Sequence, residues 1–192
     1  MRLFIAIVPP ATALGELEDA VGALRAARPE LRWTSAEDWH LTLAFLGEVP
    51  DRVLPDLTVR LERAARRHPA QQLAVSGGGA FPGPARARVV WAGIQPAAGL
   101  APLAASVAAG SRRAGAPSPD EGRRYRPHLT LARCREPAGV AELTAALREF
   151  EGSPWTADAI HLIRSNPGRA PRYEVLGSWP LSPPASQIRS ST

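Results

Sequence analysis

Trp39-His40-Leu41-Thr42-Leu43-Ala44-Phe45-Leu46-Gly47 and Arg126-Pro127-His128-Leu129-Thr130-Leu131-Ala132-Arg133 are the two stretches that decide the fold. Both contain His-Leu-Thr-Leu-Ala, at 40–44 and 128–132, and an identical pentapeptide at matching places in two halves of a chain is an internal repeat. In a strand, alternate side chains share a face. His40 and Thr42 therefore point one way and Leu41 and Leu43 the other, and His128 and Thr130 stand likewise against Leu129 and Leu131. The leucines are expected to pack under the helices of their own lobe. A face that carries imidazoles and hydroxyls is no ordinary core, because such groups need partners when buried.

Working outward, each half runs strand, helix, motif strand, helix, strand. Apolar runs or alternation predict strands at 2–8, 31–33, 39–46, 72–76, 86–94, 127–134, 155–164 and 172–180. Apolar residues at helical spacing predict helices at 12–27, 51–67, 99–114 and 138–150, for example through Leu14, Leu17, Val21 and Leu24. The Gly/Pro-rich stretch from Gly77 to Pro84 is the expected crossing between the halves, and 115–124 is a polar loop. The expected fold is α+β. It has two pseudo-symmetric lobes, each an antiparallel sheet with helices on its outer face, and an active-site cleft between the sheets. One bilobal domain is expected over 1–181, followed by a polar tail over 182–192 that is expected to be disordered.

The 192 residues are enough for one domain, and a 45% hydrophobic share is that of a folded globular chain. The apolar run at 2–8 ends at Pro9-Pro10, too short for a signal segment, and no later stretch is long and apolar enough to span a membrane. The expected compartment is the cytoplasm, and the expected state is a monomer. Cys134 is the only cysteine, which excludes an internal disulfide and a thiolate zinc site. The net charge is +5 and every basic side chain other than histidine is arginine, a residue that grips phosphate through two parallel hydrogen bonds. That balance suits an anionic substrate such as nucleic acid.

Two imidazoles and two hydroxyls in one cleft suit phosphodiester opening. Histidine titrates near neutrality, so one ring can take a proton from attacking water while the other gives one to the leaving oxygen. Thr42 and Thr130 can donate to the non-bridging phosphate oxygens, where charge builds up. Symmetry leaves open which histidine is acid and which is base. Arg126, two residues before His128, is a candidate phosphate or RNA contact. Arg133 and Phe45 hold the same offset in the two motifs; both are candidate RNA contacts, although strict alternation puts them on the opposite face unless a bulge turns them in. Trp39 and Phe45 also suit core packing. Arg112, Arg113, Arg123, Arg124, Arg126, Arg133 and Arg135 form a dense basic run opposed by Asp120 and Glu121, either a rim for RNA or a solvated surface. His68, at a helix end, is expected to cap carbonyls, and His161 to be structural.

The two motifs in their contexts, the Arg2-Leu3-Phe4-Ile5-Ala6-Ile7 opening and the segment from Ile163 to Leu181 closely resemble the 2H phosphoesterase superfamily. That segment includes Ser165, Gly168, Tyr173 and Trp179-Pro180-Leu181. The nearest resemblance is to the RNA 2',3'-cyclic phosphodiesterases, also called 2'-5' RNA ligases. It implies metal-independent hydrolysis of a terminal 2',3'-cyclic phosphate to a 2'-phosphate, without a cofactor, and reversible 2'-5' ligation. It also implies that His40 is the proton donor and His128 the proton acceptor. The competing readings are a metal-dependent phosphohydrolase, an RNA-binding module without catalysis, and a sister activity on 2'-5' linkages or nucleotide cyclic phosphates. Threonine is a poor metal ligand, and pure binding needs no pair of titrating groups.

Overall fold

The computed structural model describes residues 1–119, 122–168 and 170–184. The chain forms β1 (Arg2–Ile7), α1 (Ala11–Ala27), β2 (Arg32–Trp33), β3 (Leu41–Glu48), α2 (Leu54–Arg66), β4 (Gln71–Phe81) and β5 (Ala87–Gln95). It continues through α3 (Leu100–Arg113), β6 (His128–Ala138), α4 (Ala141–Arg148), β7 (Trp155–Ala157), β8 (Ala159–Ser165) and β9 (Tyr173–Pro180). The strands form two antiparallel sheets, one ordered β3-β1-β8-β9 and the other β2-β6-β5-β4-β7. The α+β class and the paired sheets are as the repeat predicts.

The lobes are not the two halves of the chain. In chain order the repeats read β1-α1-β3-α2-β4 and β5-α3-β6-α4-β8. The first sheet takes β1 and β3 from the first repeat but β8 from the second, and the second sheet takes β5 and β6 from the second repeat but β4 from the first. The third strands are exchanged. The helices are mixed too: α3 packs on β3 and α2 on β9, while α1 and α4 pack on β4. Each sheet is thus backed by one helix from each repeat, and the expectation that a lobe keeps its own repeat's elements is corrected.

The stretch expected as a crossing, 77–84, is for the most part strand, since β4 runs on to Phe81. Gly78 and Gly79 are there for close packing, while Gly77 takes a left-handed φ of 67°. A Cβ on Gly79 would lie 2.5 Å from the Trp91 ring of the neighbouring strand. Only a residue without a side chain lets that indole lie flat across β4.

The motif leucines do what alternation requires. Leu41, Leu43, Leu129 and Leu131 are buried in one core that also takes Leu57 and Leu61 of α2 and Leu103 and Val107 of α3. On the other side of the first sheet, Phe4, Ala6 and Ile163 form a smaller apolar cluster flanked by Phe45 and Tyr173. Of the stretch expected as a tail, residues 182–184 are described. Ser182 donates its N–H to the His68 carbonyl and accepts from the Ala70 N–H, and residues 185–192 lie outside the described residues.

Candidate active site

The motif strands share one irregularity. In β3, Ala44 pairs with Ile5 and Thr42 with Ala6, so Leu43 has no partner on β1. In β6, Ala132 pairs with Val90 and Thr130 with Trp91, so Leu131 has no partner on β5. Each His-Leu-Thr-Leu-Ala carries a bulge at its second leucine. One extra residue reverses the alternation beyond it. Phe45 therefore returns to the face of Thr42, and Arg133 to the face of Thr130. The parity that counted against both residues is overturned by this bulge.

Between the sheets lies a cavity of about 1240 Å³ whose walls include His40, Thr42, Phe45, His128, Thr130 and Arg133. Arg126 is not among its walls. Its side chain is exposed and lies over the Phe81 ring at 5.9 Å, while its carbonyl serves His128. Of the basic run around it, only Arg133 lines the cleft; Asp120 and Glu121 lie outside the described residues. Trp39 is core, 1% exposed.

The two imidazoles are held alike. His40 Nδ1 is 2.8 Å from the Asp38 carbonyl, and His128 Nδ1 is 2.7 Å from the Arg126 carbonyl. A carbonyl only accepts, so each Nδ1 carries the hydrogen and each Nε2 keeps its lone pair for chemistry. Aromatic rings back both. His40 stacks on Phe4 at 4.5 Å and meets the edge of Tyr173 at 5.0 Å. His128 meets Phe81 at 5.1 Å and Trp91 at 6.2 Å.

Burial against these rings disfavours the charged imidazolium. It pushes His40 down to about 4, against the pull of the Asp38 carbonyl and carboxylate, while Arg172 and His128 push it lower. Burial also lowers His128, opposed by the Arg126 carbonyl and reinforced by Arg133. With these surroundings alone both rings are neutral at pH 7, and an anion between them is what would restore a proton to one. Tyr125 donates from its hydroxyl to the Thr42 carbonyl at 3.2 Å, tying the segment before β6 to β3 at the cleft.

Several cleft residues escaped the sequence reading: Arg2, Phe4, Asp38, Arg172 and, behind His128, Phe81 and Trp91. Phe4 and Trp91 had a signal, an aromatic in the first strand of each repeat. Arg172 had none of its own, because it reaches His40 only through the strand exchange, and Tyr173 was marked by the C-terminal resemblance but not read as a cleft residue. Arg2 lies over Phe45 at 5.1 Å and lines the cleft together with Arg133 and Arg172.

The other histidines stand apart. His68 Nε2 is 2.7 Å from the Ser106 hydroxyl rather than on helix carbonyls, and His161 Nδ1 is 2.8 Å from the Ser178 hydroxyl. Cys134 is buried, and burial pushes its thiol up, away from a nucleophile's thiolate. Among the described residues no group of three or more His, Cys, Asp or Glu side chains could hold a metal ion, and no helix is long and apolar enough to cross a membrane.

Residues 10–169 match the 2'-5' RNA ligase superfamily. A protein of Escherichia coli named RNA 2',3'-cyclic phosphodiesterase is 37% identical over 185 residues, covering 94% of this chain and 97% of that one. A Geobacillus stearothermophilus protein of the same name is 30% identical over 93% of this chain, which spans 56% of that longer relative. The crystal structure of a Thermus thermophilus protein superposes with a TM-score of 0.79 at 30% identity, covering 95% of this chain and 99% of the other.

Proposed function

The chain belongs to the 2'-5' RNA ligase superfamily, and on that premise we propose that it hydrolyses 2',3'-cyclic phosphates at RNA ends to 2'-phosphates, without a metal or cofactor. The observation that carries this reading is the matched pair of imidazoles. Both have Nδ1 fixed on a carbonyl and Nε2 left as the working nitrogen, and both line one cleft with a threonine two residues on. Relatives named RNA 2',3'-cyclic phosphodiesterase support the substrate class.

In the proposed reaction a water oxygen attacks phosphorus as the P–O3' bond breaks. His128 Nε2 takes the water proton and His40 Nε2–H gives a proton to O3'. The product carries a 2'-phosphate and a free 3'-hydroxyl. Thr42 and Thr130 donate to the non-bridging oxygens, while Arg133, and Arg2 beside Phe45, hold the terminal nucleotide by charge and stacking. With a 5'-hydroxyl terminus replacing water as the nucleophile, the same proton transfers would join a 2'-5' linkage with each histidine in the same role. The roles exchange only in the reverse step, where the 3'-hydroxyl attacks that linkage and the 5' oxygen leaves with a proton. The proposed setting is cytoplasmic, with the chain acting as a monomer.

The test is incubation with an RNA oligonucleotide ending in a 2',3'-cyclic phosphate, in the presence of EDTA. Conversion to a 2'-phosphate end is expected, with a drop of roughly 10²–10⁴-fold in each of His40→Ala and His128→Ala. A 3'-phosphate product, or loss of activity on chelation, would overturn it.

A further inference from the structure

Beyond the two motifs, a ring of contacts closes around His40. Asp38 accepts from His40 Nδ1 through its carbonyl at 2.8 Å, and from Arg172 Nη1 through its carboxylate at 3.1 Å. Arg172 lies over the Tyr173 ring at 5.3 Å, and Tyr173 meets His40. The Asp38 side chain is 14% exposed and that of Arg172 54%, so one partner is anchored and the other is free to swing. Both line the cleft. His128 has a shorter ring, through the Arg126 carbonyl, the Arg126 guanidinium over Phe81 and Phe81 itself, and that ring contains no carboxylate. The residue at its matching position is Arg126, which supplies the same backbone carbonyl but a charge of the opposite sign. The backbone obeys the pseudo-symmetry and the charges break it.

The charged and titratable groups acting on His40 are Asp38, Arg172 and His128. Tyr173 and Phe4 meet it through their rings, and Glu37, Arg2 and Arg133 also line the cleft. Asp38 favours the imidazolium, Arg172 opposes it, and each partly cancels the other while they are paired. A phosphate offers the guanidinium a bidentate partner, which a single contact to a carboxylate does not match. Once Arg172 turns to the phosphate, Asp38 loses its counter-charge, and two anions rather than one then favour a proton on His40.

We propose that Asp38 and Arg172 are positioning residues that tie the arrival of the substrate phosphate to the loading of a proton onto His40. The proposal rests on the reading of His40 as proton donor. It explains how an acid can work from a pocket that by itself keeps the ring neutral. The coupling is reciprocal: the factor by which phosphate favours protonated His40 is the factor by which the proton favours phosphate binding.

The experiment is a histidine titration by NMR in the full chain, with and without inorganic phosphate, in wild type, Arg172→Gln, Arg172→Lys and Asp38→Asn. His68 and His161 serve as internal reporters of an intact fold. In wild type, phosphate is expected to raise the His40 midpoint by about one pH unit or more. Arg172→Gln raises the midpoint without phosphate and shrinks the rise that phosphate causes. Asp38→Asn lowers the midpoint in both conditions, and Arg172→Lys, which keeps the charge but not the planar fork, keeps the wild-type midpoint without phosphate and shows a smaller rise with it. Opposite displacements by two neighbouring substitutions are not what general loosening would produce. Unchanged His40 midpoints in Arg172→Gln, with the full response to phosphate retained, would overturn the coupling even if the enzyme turns over RNA ends. Failure of wild type to open cyclic phosphates, with the displacements present, would instead sink the reaction assignment and leave the coupling standing.

Discussion

His40 and His128 each commit Nδ1 to the carbonyl two residues upstream, so the pentapeptide and its preceding dipeptide act as one unit that presents Nε2. The histidines and threonines were legible because they are duplicated. Asp38 and the backing rings were not, since the aromatic in the first strand of each repeat marks a ring but not the imidazole it will lie behind. That backing has a consequence for stability. His40 is held at about 4 in the folded chain and regains its ordinary value of 6.5 on unfolding. Between those values the unfolded chain binds a proton that the folded chain refuses, so stability falls as pH drops from 6.5 toward 4 and this loss levels off below. His128, lowered by the same cause, adds a loss of the same sign. Thermal melts at pH 7, 5.5 and 4.5 should show a shallower decline for His40→Gln than for wild type; equal slopes would place the acid sensitivity elsewhere.

Within the strands, residues two apart in one motif do opposite work, and the bulge decides which. Leu131 is fully buried and Arg133 lines the cleft. Leu131→Ala should cost about 2–5 kcal/mol in urea unfolding. Arg133→Ala should leave the urea midpoint near wild type while raising KM for cyclic-phosphate RNA more than it lowers kcat. If Arg133→Ala proved as destabilising as Leu131→Ala, the bulge would not aim it at the cleft. Gly79 is a second test at this scale. Gly79→Ala sets a Cβ against the Trp91 ring that backs His128, so it should lower both stability and kcat, seen in melts and steady-state rates. The strand types and all four α-helices could be read from periodicity. The bulges could not, because they come from pairing with β1 and β5, and register is a property of two strands rather than one.

Across the molecule, the exchange of β4 and β8 makes each sheet depend on both repeats. The repeat made two similar lobes predictable, but periodicity names elements and not their partners, so the exchange stayed hidden and the glycine-rich strand passed for a crossing. Shared sheets and mixed helices predict a single unfolding transition, with tryptophan fluorescence and far-UV circular dichroism superimposing; two separated transitions would mean that the lobes fold independently. The exchange also brings Arg172 and Tyr173 from near the end of the chain to His40, so the cleft holds two histidines alike in backbone and unlike in the charged groups beside them. The central claim is that this pair divides one reaction into a donor, His40, and an acceptor, His128. The most direct measurement uses RNA whose terminal cyclic phosphate carries sulfur at the bridging 3' position, a leaving group that departs without a proton. His40→Ala should recover most of wild-type turnover on that substrate and His128→Ala should not; equal impairment of both variants, or rescue of His128→Ala instead, would contradict the assignment.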